Sequence, residues 1–174
     1  MEAPRPITLE ELLASRDNRR AKQLALLAAN PGKTLAVATV VIPGNVKRCA
    51  DSLAIAHAAC EAIEERLAGK IASVEKADLP TGFEAYYVIE GSPSDIKLTT
   101  SAIEDTHPLG RLMDIDVVDA SGNQVSRSAN GAPQRLCLLC QQPARVCMRA
   151  FTHTQEELKQ EIHRRVCAYL DSKR

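Results

Sequence analysis

The amino-acid sequence predicts a single α+β domain in which a mixed β-sheet is flanked by helices. The chain has 174 residues, which is enough for one domain with a hydrophobic core. Segments with helical periodicity alternate along it with short segments rich in β-branched residues, as in domains whose helices pack on a sheet. The sequence shows neither internal repeats nor low-complexity tracts. We therefore treat residues 1–174 as one domain.

The first half of the chain predicts a helix, a strand, a second helix and two further strands. Thr8 and Glu11 have the spacing of a capping box, which marks the beginning of a helix. A Pro-Gly pair ends this helix, and a glycine closes the second one. The predicted elements are a helix to about residue 29, a strand over residues 34–42, a helix over residues 50–67, and strands over residues 71–77 and 85–89.

The second half of the chain is less regular. Residues 94–104 fit either a helix or a strand, and we interpret them as a helix. Alternating apolar and acidic side chains predict a strand over residues 113–118, which is followed by a turn. Residues 128–153 are expected to be loop-rich. A second capping box begins a C-terminal helix over residues 154–171.

Composition and charge exclude several classes of protein. The 22 basic and 22 acidic residues cancel, whereas binding nucleic acid or anionic membranes by charge needs an excess of Lys and Arg. Aromatic residues are 3% of the chain, too few for a base-stacking surface. No apolar run is long enough to span a bilayer, and the N-terminus lacks the apolar core of a signal peptide. We therefore expect a cytoplasmic protein whose six cysteines are thiols or metal ligands rather than disulfides.

Two aspartates within an apolar strand are the most informative feature of the sequence. Side chains two residues apart leave the same face of a strand, so Asp114 and Asp116 are expected to point together. Adjacent ionised carboxylates repel, and a divalent cation such as Mg²⁺ resolves this conflict and brings substrate phosphates with it. The alternative is a strand whose polar face is acidic and solvated. Gly110, which permits close approach of a ligand, and Arg111, whose guanidinium suits phosphate, favour a metal and phosphate site.

Further basic side chains are candidates for contacts with phosphate. His107 could contact a leaving phosphate, although a structural role fits it equally well. Arg127 and Arg135 follow the aspartates along the chain, and a triphosphate needs several such donors beside its metal. The basic residues of the first helix are typical of a solvated face, and they also suit an acidic partner; they are Arg16, Arg19, Arg20 and Lys22.

Three cysteines and a histidine have the spacing of metal ligands. Cys137 and Cys140 can bind one zinc ion from a single turn, and Cys147 with His153 would complete a tetrahedral Cys3His site. The two halves are closer together in sequence than in common zinc modules. The alternative is that these cysteines are small buried hydrophobic residues in a loop-rich segment.

Blocks of sequence spread in order over roughly residues 8–155 resemble one known family. These blocks are Ser15-Arg16-Asp17-x-Arg19-x-Ala21-x-Gln23, Val41-x-Pro43-Gly44-x-x-Lys47, Asp95-Ile96-Lys97-Leu98-Thr99, His107-Pro108-Leu109-Gly110-Arg111-Leu112, Asp114-Ile115-Asp116-Val117 and Pro133-x-Arg135-x-Cys137-Leu138-Leu139-Cys140. The family they resemble is that of the citrate lyase holo-acyl-carrier-protein synthases, also called apo-citrate lyase phosphoribosyl-dephospho-CoA transferases.

The resemblance implies a single transferase domain over residues 1–174, with a nucleotidyltransferase-like fold and chemistry. Such enzymes transfer 2'-(5''-phosphoribosyl)-3'-dephospho-CoA from its triphosphate precursor to a serine of the citrate lyase acyl carrier subunit. Diphosphate leaves, and a phosphodiester forms. Because the attacking serine belongs to the partner, the transferase needs no nucleophile of its own.

The same resemblance implies a role for each candidate residue. Asp114 and Asp116 would hold Mg²⁺, and one of them would accept the serine proton, with Glu104 as a third carboxylate. Gly110 and Arg111 would hold phosphate, and the arginines of the first helix would contact phosphate or the acidic face of the carrier. The alternative function is a non-catalytic zinc-bearing module that binds a carrier protein, as the cysteine cluster and the basic first helix suggest.

Overall fold

The computed structural model describes residues 4–126 and 134–174 of the chain. These residues form one α+β domain, as the sequence predicts, in which a four-stranded sheet carries helices on both faces. The elements are α1 Leu9–Ala29, β1 Thr34–Val40, α2 Ala50–Arg66, β2 Ile71–Leu79, β3 Gly82–Ile89, α3 Pro93–Thr106, a short 3-10 helix Gly110–Leu112, β4 Met113–Val118, α4 Ala144–Ala150 and α5 Gln155–Ser172.

The four strands form an antiparallel sheet rather than the expected mixed one. Their order is β2-β3-β1-β4, and all three pairings between neighbours are antiparallel. Helical crossovers do join strands that run in the same direction, β1 to β2 through α2 and β3 to β4 through α3. A third strand lies between the members of each such pair, so the parallel strands are never hydrogen-bonded neighbours in this sheet.

Local signals begin the helices where the sequence predicts them. Thr8 and Glu11 form a capping box at α1, and Thr154 and Glu157 form one at α5. The ambiguous segment 94–104 is helical, because a serine caps α3 and a proline occupies its first turn. No helix within residues 4–126 and 134–174 combines the length and the apolar character that crossing a bilayer requires.

The sequence does not predict α4, which lies inside the segment expected to be loop-rich. The helix has seven residues, of which only Cys147 is buried. A helix of this length is unstable on its own in water. Its conformation therefore depends on contacts with the residues around it. The rest of that segment is irregular over residues 134–143, and residues 128–133 lie outside the part of the chain that the structure describes.

Helices cover the two faces of the sheet unequally. α2, α3 and α5 pack on one face and build the main core, to which β4 contributes Met113, Ile115 and Val117. α1 covers the other face above a smaller apolar cluster that includes Tyr86 and Val118. Because side chains alternate along a strand, the two aspartates of β4 lie on the α1 face. β4 is also an edge strand, so this face is open beyond it.

Candidate active site

Asp114 and Asp116 lie side by side on the α1 face of β4, as the alternation of the sequence predicts. Asp114 is the cross-strand neighbour of Thr39, and Asp116 is that of Val37. Both carboxylates are partly buried. Burial, and then the charge of Asp114, raise the pKa of Asp116 above its ordinary value of 3.8. The pair is therefore electrostatically strained unless a proton or a cation is shared between them.

A cavity of about 540 Å³ adjoins this pair, between α1 and the turn that follows β4. Its lining residues are Arg20, Gln23, Asp116, Val118, Gly122, Asn123 and Gln124. The side-chain amide of Gln124 donates to Asp116, and the Arg20 guanidinium donates to the carbonyl oxygen of Gly122 at 2.9 Å. The cavity thus brings a carboxylate, an arginine and amide groups together, a combination that suits a metal-bound phosphate.

Glu104 and Lys97 of α3 form hydrogen bonds to the backbone of β4 at the edge away from β1. A carboxylate oxygen of Glu104 accepts from the backbone N–H of Ile115 at 2.8 Å, and the Lys97 ammonium donates to the carbonyl oxygen of Ile115 at 2.8 Å. Both side chains are buried. The two residues are seven positions apart, so they share one face of the helix. Glu104 therefore lies close to the aspartates and also satisfies the backbone of the strand that carries them.

Arg135 connects Glu104 with Asp114. One guanidinium nitrogen lies 3.2 Å from a carboxylate oxygen of Asp114, and the other donates to Glu104. The arginine belongs to the second described range, 21 residues beyond Asp114. The structure thus brings Asp114, Asp116, Glu104 and Arg135 together, and the binding of phosphate by this group stays a prediction.

Gly110 and Arg111 have different neighbours from those expected. A Cβ atom on Gly110 would lie 2.5 Å from the carbonyl oxygens of Ile103 and Glu104, so the glycine permits close packing against the end of α3. Arg111 donates to the carbonyl oxygen of Leu136, in the cysteine-containing segment. The structure therefore gives both residues a packing or tethering role, and their contact with phosphate stays a prediction.

His107 lies apart from the carboxylate site, with contacts that fit the structural alternative, and its contact with a leaving phosphate stays a prediction. It ends α3, packs its ring against Tyr169 of α5 at 5.2 Å between ring centres, and accepts from the backbone N–H of Leu109 at 3.0 Å. Burial, with the charge of Lys173, lowers its pKa. These contacts lie among the helices across the sheet from the aspartates.

The arginines of α1 lie on different sides of this helix and face different strands or solvent. Arg19 donates to the buried Glu84 of β3 at 2.8 Å, away from β4. Arg16 is exposed, and its charge, after burial, lowers the pKa of Lys47. Arg20 rather than Arg19 lines the cavity beside Asp116. Arg127, the remaining predicted phosphate ligand, lies outside the described residues.

Sequence reasoning missed the polar residues whose role depends on tertiary contacts. Lys97 and Gln23 lie in blocks that resemble the family, but the sequence assigned neither a role. Gln23 and Gln124 are 101 positions apart, yet both line the same cavity. A usable signal was the spacing of Lys97 and Glu104, which puts two ionisable groups on the buried side of α3.

The three cysteines and the histidine form a compact cluster, as their spacing predicts. One ligand atom from each of Cys137, Cys140, Cys147 and His153 lies within 4.8 Å of all the others. The Cys140 sulfur is 3.5 Å from that of Cys147 and 3.4 Å from Nε2 of His153. A tetrahedron with metal–sulfur bonds of about 2.3 Å has edges of about 3.8 Å, so the cluster can bind a metal ion.

The backbone around Cys137 favours a thiolate there. Its N–H donates to the carbonyl oxygen of Gln142 at 2.7 Å, which closes the turn between the first two cysteines. Burial raises the pKa of the Cys137 thiol, but the backbone N–H groups of Leu139 and Cys140 outweigh it and the pKa falls to about 7. A thiolate is the form that binds a metal.

The cluster and the carboxylates are structurally connected. Arg135 and Leu136 directly precede the cluster, and they contact Asp114 and Arg111 respectively. On the other side, Arg165 of α5 donates to the carbonyl oxygen of Leu138 at 3.1 Å. The segment around Cys137 is thus fixed between β4 and α5.

Comparison with known proteins identifies the family. The family model described as apo-citrate lyase phosphoribosyl-dephospho-CoA transferase matches residues 7–169. A probable apo-citrate lyase phosphoribosyl-dephospho-CoA transferase of Streptococcus pyogenes serotype M18 (strain MGAS8232) is 37% identical over 160 residues, which are 90% of this chain and 83% of the relative. The apo-citrate lyase phosphoribosyl-dephospho-CoA transferase of Escherichia coli O9:H4 (strain HS) is 37% identical over 155 residues, which are 87% of this chain and 84% of that enzyme. The chain therefore belongs to the apo-citrate lyase phosphoribosyl-dephospho-CoA transferase family.

Proposed function

We propose that this chain transfers the 2'-(5''-phosphoribosyl)-3'-dephospho-CoA group from its triphosphate precursor to a serine of the citrate lyase acyl carrier subunit. Family membership supports the reaction, and the observation that supports its location is the pair Asp114 and Asp116 on an open edge strand beside a cavity. The serine oxygen forms a bond to the phosphorus nearest the ribose. The bond from that phosphorus to the departing diphosphate breaks, and the serine proton passes to a carboxylate.

The donor set of the site fits Mg²⁺. Asp114 and Asp116 offer adjacent hard oxygen ligands, and the raised pKa of Asp116 reflects its burial and then its repulsion by Asp114, which a divalent cation would offset. When bound there, Mg²⁺ would screen the charge of the phosphates. One of the two aspartates would accept the serine proton on a carboxylate oxygen that does not bind the metal.

The arginines stabilise the negative charge that develops on the leaving diphosphate. Arg135 is ion-paired with Asp114 and Glu104, so its guanidinium is already oriented before substrate binds. Little conformational entropy is therefore lost in orienting it when the substrate binds. Arg20 of α1 lines the cavity beside Asp116. We assign the diphosphate to the space between these two side chains.

The intact mass of the carrier subunit tests this proposal. Purified apo carrier is incubated with the protein, Mg²⁺ and the triphosphate donor, and a matched sample contains the carrier variant whose acceptor serine is alanine. We expect the wild-type carrier alone to gain one phosphoribosyl-dephospho-CoA unit. Carrier binding without any gain in mass would contradict the enzymatic function and favour the non-catalytic module.

We assign zinc to the Cys3His cluster, as a structural ion. Three thiols and an imidazole with all four positions filled by protein form a closed structural class, which leaves no position for substrate. Metal analysis of the purified protein should give about one zinc ion per chain. Cys140→Ser should lose it, whereas Cys167→Ser, which changes an exposed cysteine of α5 outside the cluster, should retain it. A cluster that is free of metal in both proteins would rule out this assignment.

A further inference from the structure

The segment that contains the cluster has an unusual composition. Residues 134–153 include three arginines and no aspartate or glutamate, although the whole chain has equal numbers of basic and acidic residues. Two of these arginines, Arg145 and Arg149, are one helical turn apart on α4 and exposed. Within the residues that the structure describes, neither forms an ion pair, whereas Arg135 is paired with two carboxylates. The outer side of α4 is therefore a positive surface.

Large apolar side chains are exposed beside these arginines. Val146 is 51% exposed, Met148 73% and Phe151 88%. Phe151 also has a φ of 49°, a left-handed conformation that a bulky residue rarely adopts. We refer to Arg145, Val146, Met148, Arg149 and Phe151 as the α4 surface. Exposed apolar side chains bordered by charges of one sign are typical of a site that binds another protein.

The α4 surface is attached directly to the carboxylate site. The backbone N–H of Ala144, the first residue of α4, donates to the carbonyl oxygen of Arg135 at 2.8 Å. The side chain of the same arginine lies 3.2 Å from Asp114. A protein bound on α4 would therefore lie at the entrance to the site where its serine must react.

We propose that the α4 surface docks the citrate lyase carrier subunit beside its acceptor serine, through an acidic face that also exposes apolar side chains. The inference rests on the proposed function, which requires a protein acceptor but does not say where it binds. Charge complementarity selects this occupant, because two arginines with no ion pair among the described residues, flanked by exposed apolar side chains, attract a carboxylate-bearing surface. Cys147 attaches α4 to the Cys3His cluster. The exposed side of α4, away from the cluster, is the docking surface, and Arg135 contacts Asp114 on the side towards β4.

Steady-state kinetics with separately varied carrier and donor test the proposal. The double variant Arg145→Glu/Arg149→Glu should raise the KM for the carrier at least about tenfold, while the KM for the donor and the kcat stay within about twofold of wild type. The matched control is Arg66→Glu/Lys70→Glu, which reverses two exposed charges with the same spacing near the start of β2, at the other edge of the sheet. This control should leave the KM for the carrier unchanged.

A milder pair of variants separates docking from folding. Met148→Ser should raise the KM for the carrier several-fold and retain the metal, whereas Leu9→Ser, which removes an equally exposed apolar side chain of α1, should not. Raising the ionic strength should raise the wild-type KM for the carrier and have little effect on that of the double variant. An unchanged KM for the carrier in both α4 variants would overturn the proposal, as would an equal rise in the control.

Two further outcomes are distinguishable. If the wild-type protein transfers nothing, the proposed function fails, and titration of the α4 variants with the carrier still tests the surface. If sedimentation shows that wild type is a dimer and the double variant a monomer, the α4 surface binds a second copy of this chain, and the docking proposal is overturned.

Discussion

Asp114 and Arg135 lie 3.2 Å apart, yet the chain holds them in place by different means. Asp114 belongs to a strand that is paired with β1 on one side and hydrogen-bonded to Lys97 and Glu104 on the other, above fully buried side chains. Arg135 belongs to a segment in which few side chains are buried, and four ligand atoms gathered within 4.8 Å form its centre.

The difference indicates what each part of the site depends on. The position of the carboxylates follows from the hydrophobic core, which excludes water over a large area and therefore resists local unfolding. The position of Arg135 follows from a small cluster with little apolar burial, where metal binding and local folding are one process. We therefore expect changes on β4 to affect chemistry and changes in the cluster to affect the geometry of the arginine.

Of the variants that test this contrast, Asp116→Asn should have the largest effect on the transfer rate. The amide keeps the shape of the carboxylate but lacks its negative charge, so it binds Mg²⁺ more weakly and cannot accept the serine proton, and the transfer rate should fall about a thousandfold or more. Circular dichroism should show an unchanged fold. A rate within about tenfold of wild type would remove the two-carboxylate site from the mechanism.

The same variant should be more stable than wild type in metal-free buffer, and the difference should depend on pH. Because the folded-state pKa of Asp116 is raised, the native protein binds its proton more tightly than the unfolded chain does. The free energy of unfolding of wild type should therefore decline as the pH rises above 3.8 towards the folded-state value, and the decline is complete above that value. Urea unfolding at several pH values should show no such contribution in Asp116→Asn.

Cys140→Ser should have a smaller effect on the reaction. Loss of the metal would release Arg135 from its contact with Asp114, and the kcat should fall about 10- to 100-fold. Hydrogen exchange should increase over residues 134–153 and remain slow in β4, whereas Cys167→Ser should match wild type in both measurements. Faster exchange of β4 in Cys140→Ser would show that the two regions are not held independently.

Gly110→Ala should disturb the packing of α3 against β4, the strand that carries the aspartates. The added Cβ would meet two backbone carbonyl oxygens of α3 at 2.5 Å, so α3 must shift from β4, and the free energy of unfolding should fall by about 3 kcal/mol. Exchange at the amide of Ile115 should increase, because this amide donates to Glu104. In Gly69→Ala, where the added atom has no neighbour within 4 Å, the Ile115 amide should stay protected.

His107→Gln should have the smallest effect. The structure places this residue against Tyr169 rather than beside the aspartates, so the transfer rate should stay within about twofold of wild type. Loss of the ring contact should lower the free energy of unfolding by about 1 kcal/mol. A large fall in kcat at unchanged stability would instead give His107 a part in the reaction.

The features that the sequence predicted are those set by local physics. The capping boxes at Thr8 and Thr154 depend on residues three positions apart, and the shared face of the aspartates follows from the pleat of one strand. The cysteine cluster was predictable because chelation restricts the spacing of ligands. The fold class followed from the same local patterns.

The features that the sequence did not predict depend on contacts distant in sequence. The hydrogen bonds of Lys97 and Glu104 to β4 require the packing of α3 along an edge strand, and the antiparallel sheet depends on which strand lies between two others. α4 has the mixed composition of a loop, because its few internal contacts give no helical periodicity. The choice of Arg20 over Arg19 for the cavity depends on how α1 is rotated over the sheet.

The hydrogen bonds of Lys97 and Glu104 to Ile115 also affect solubility. An edge strand with free N–H and C=O groups is a template on which a strand of another molecule can add, and this is a common route to aggregation. At Ile115 both groups are already occupied by buried charged side chains, so an incoming strand would have to break the hydrogen bonds that two buried charged groups form there. α3 thus prevents intermolecular strand pairing at the strand that carries the two aspartates.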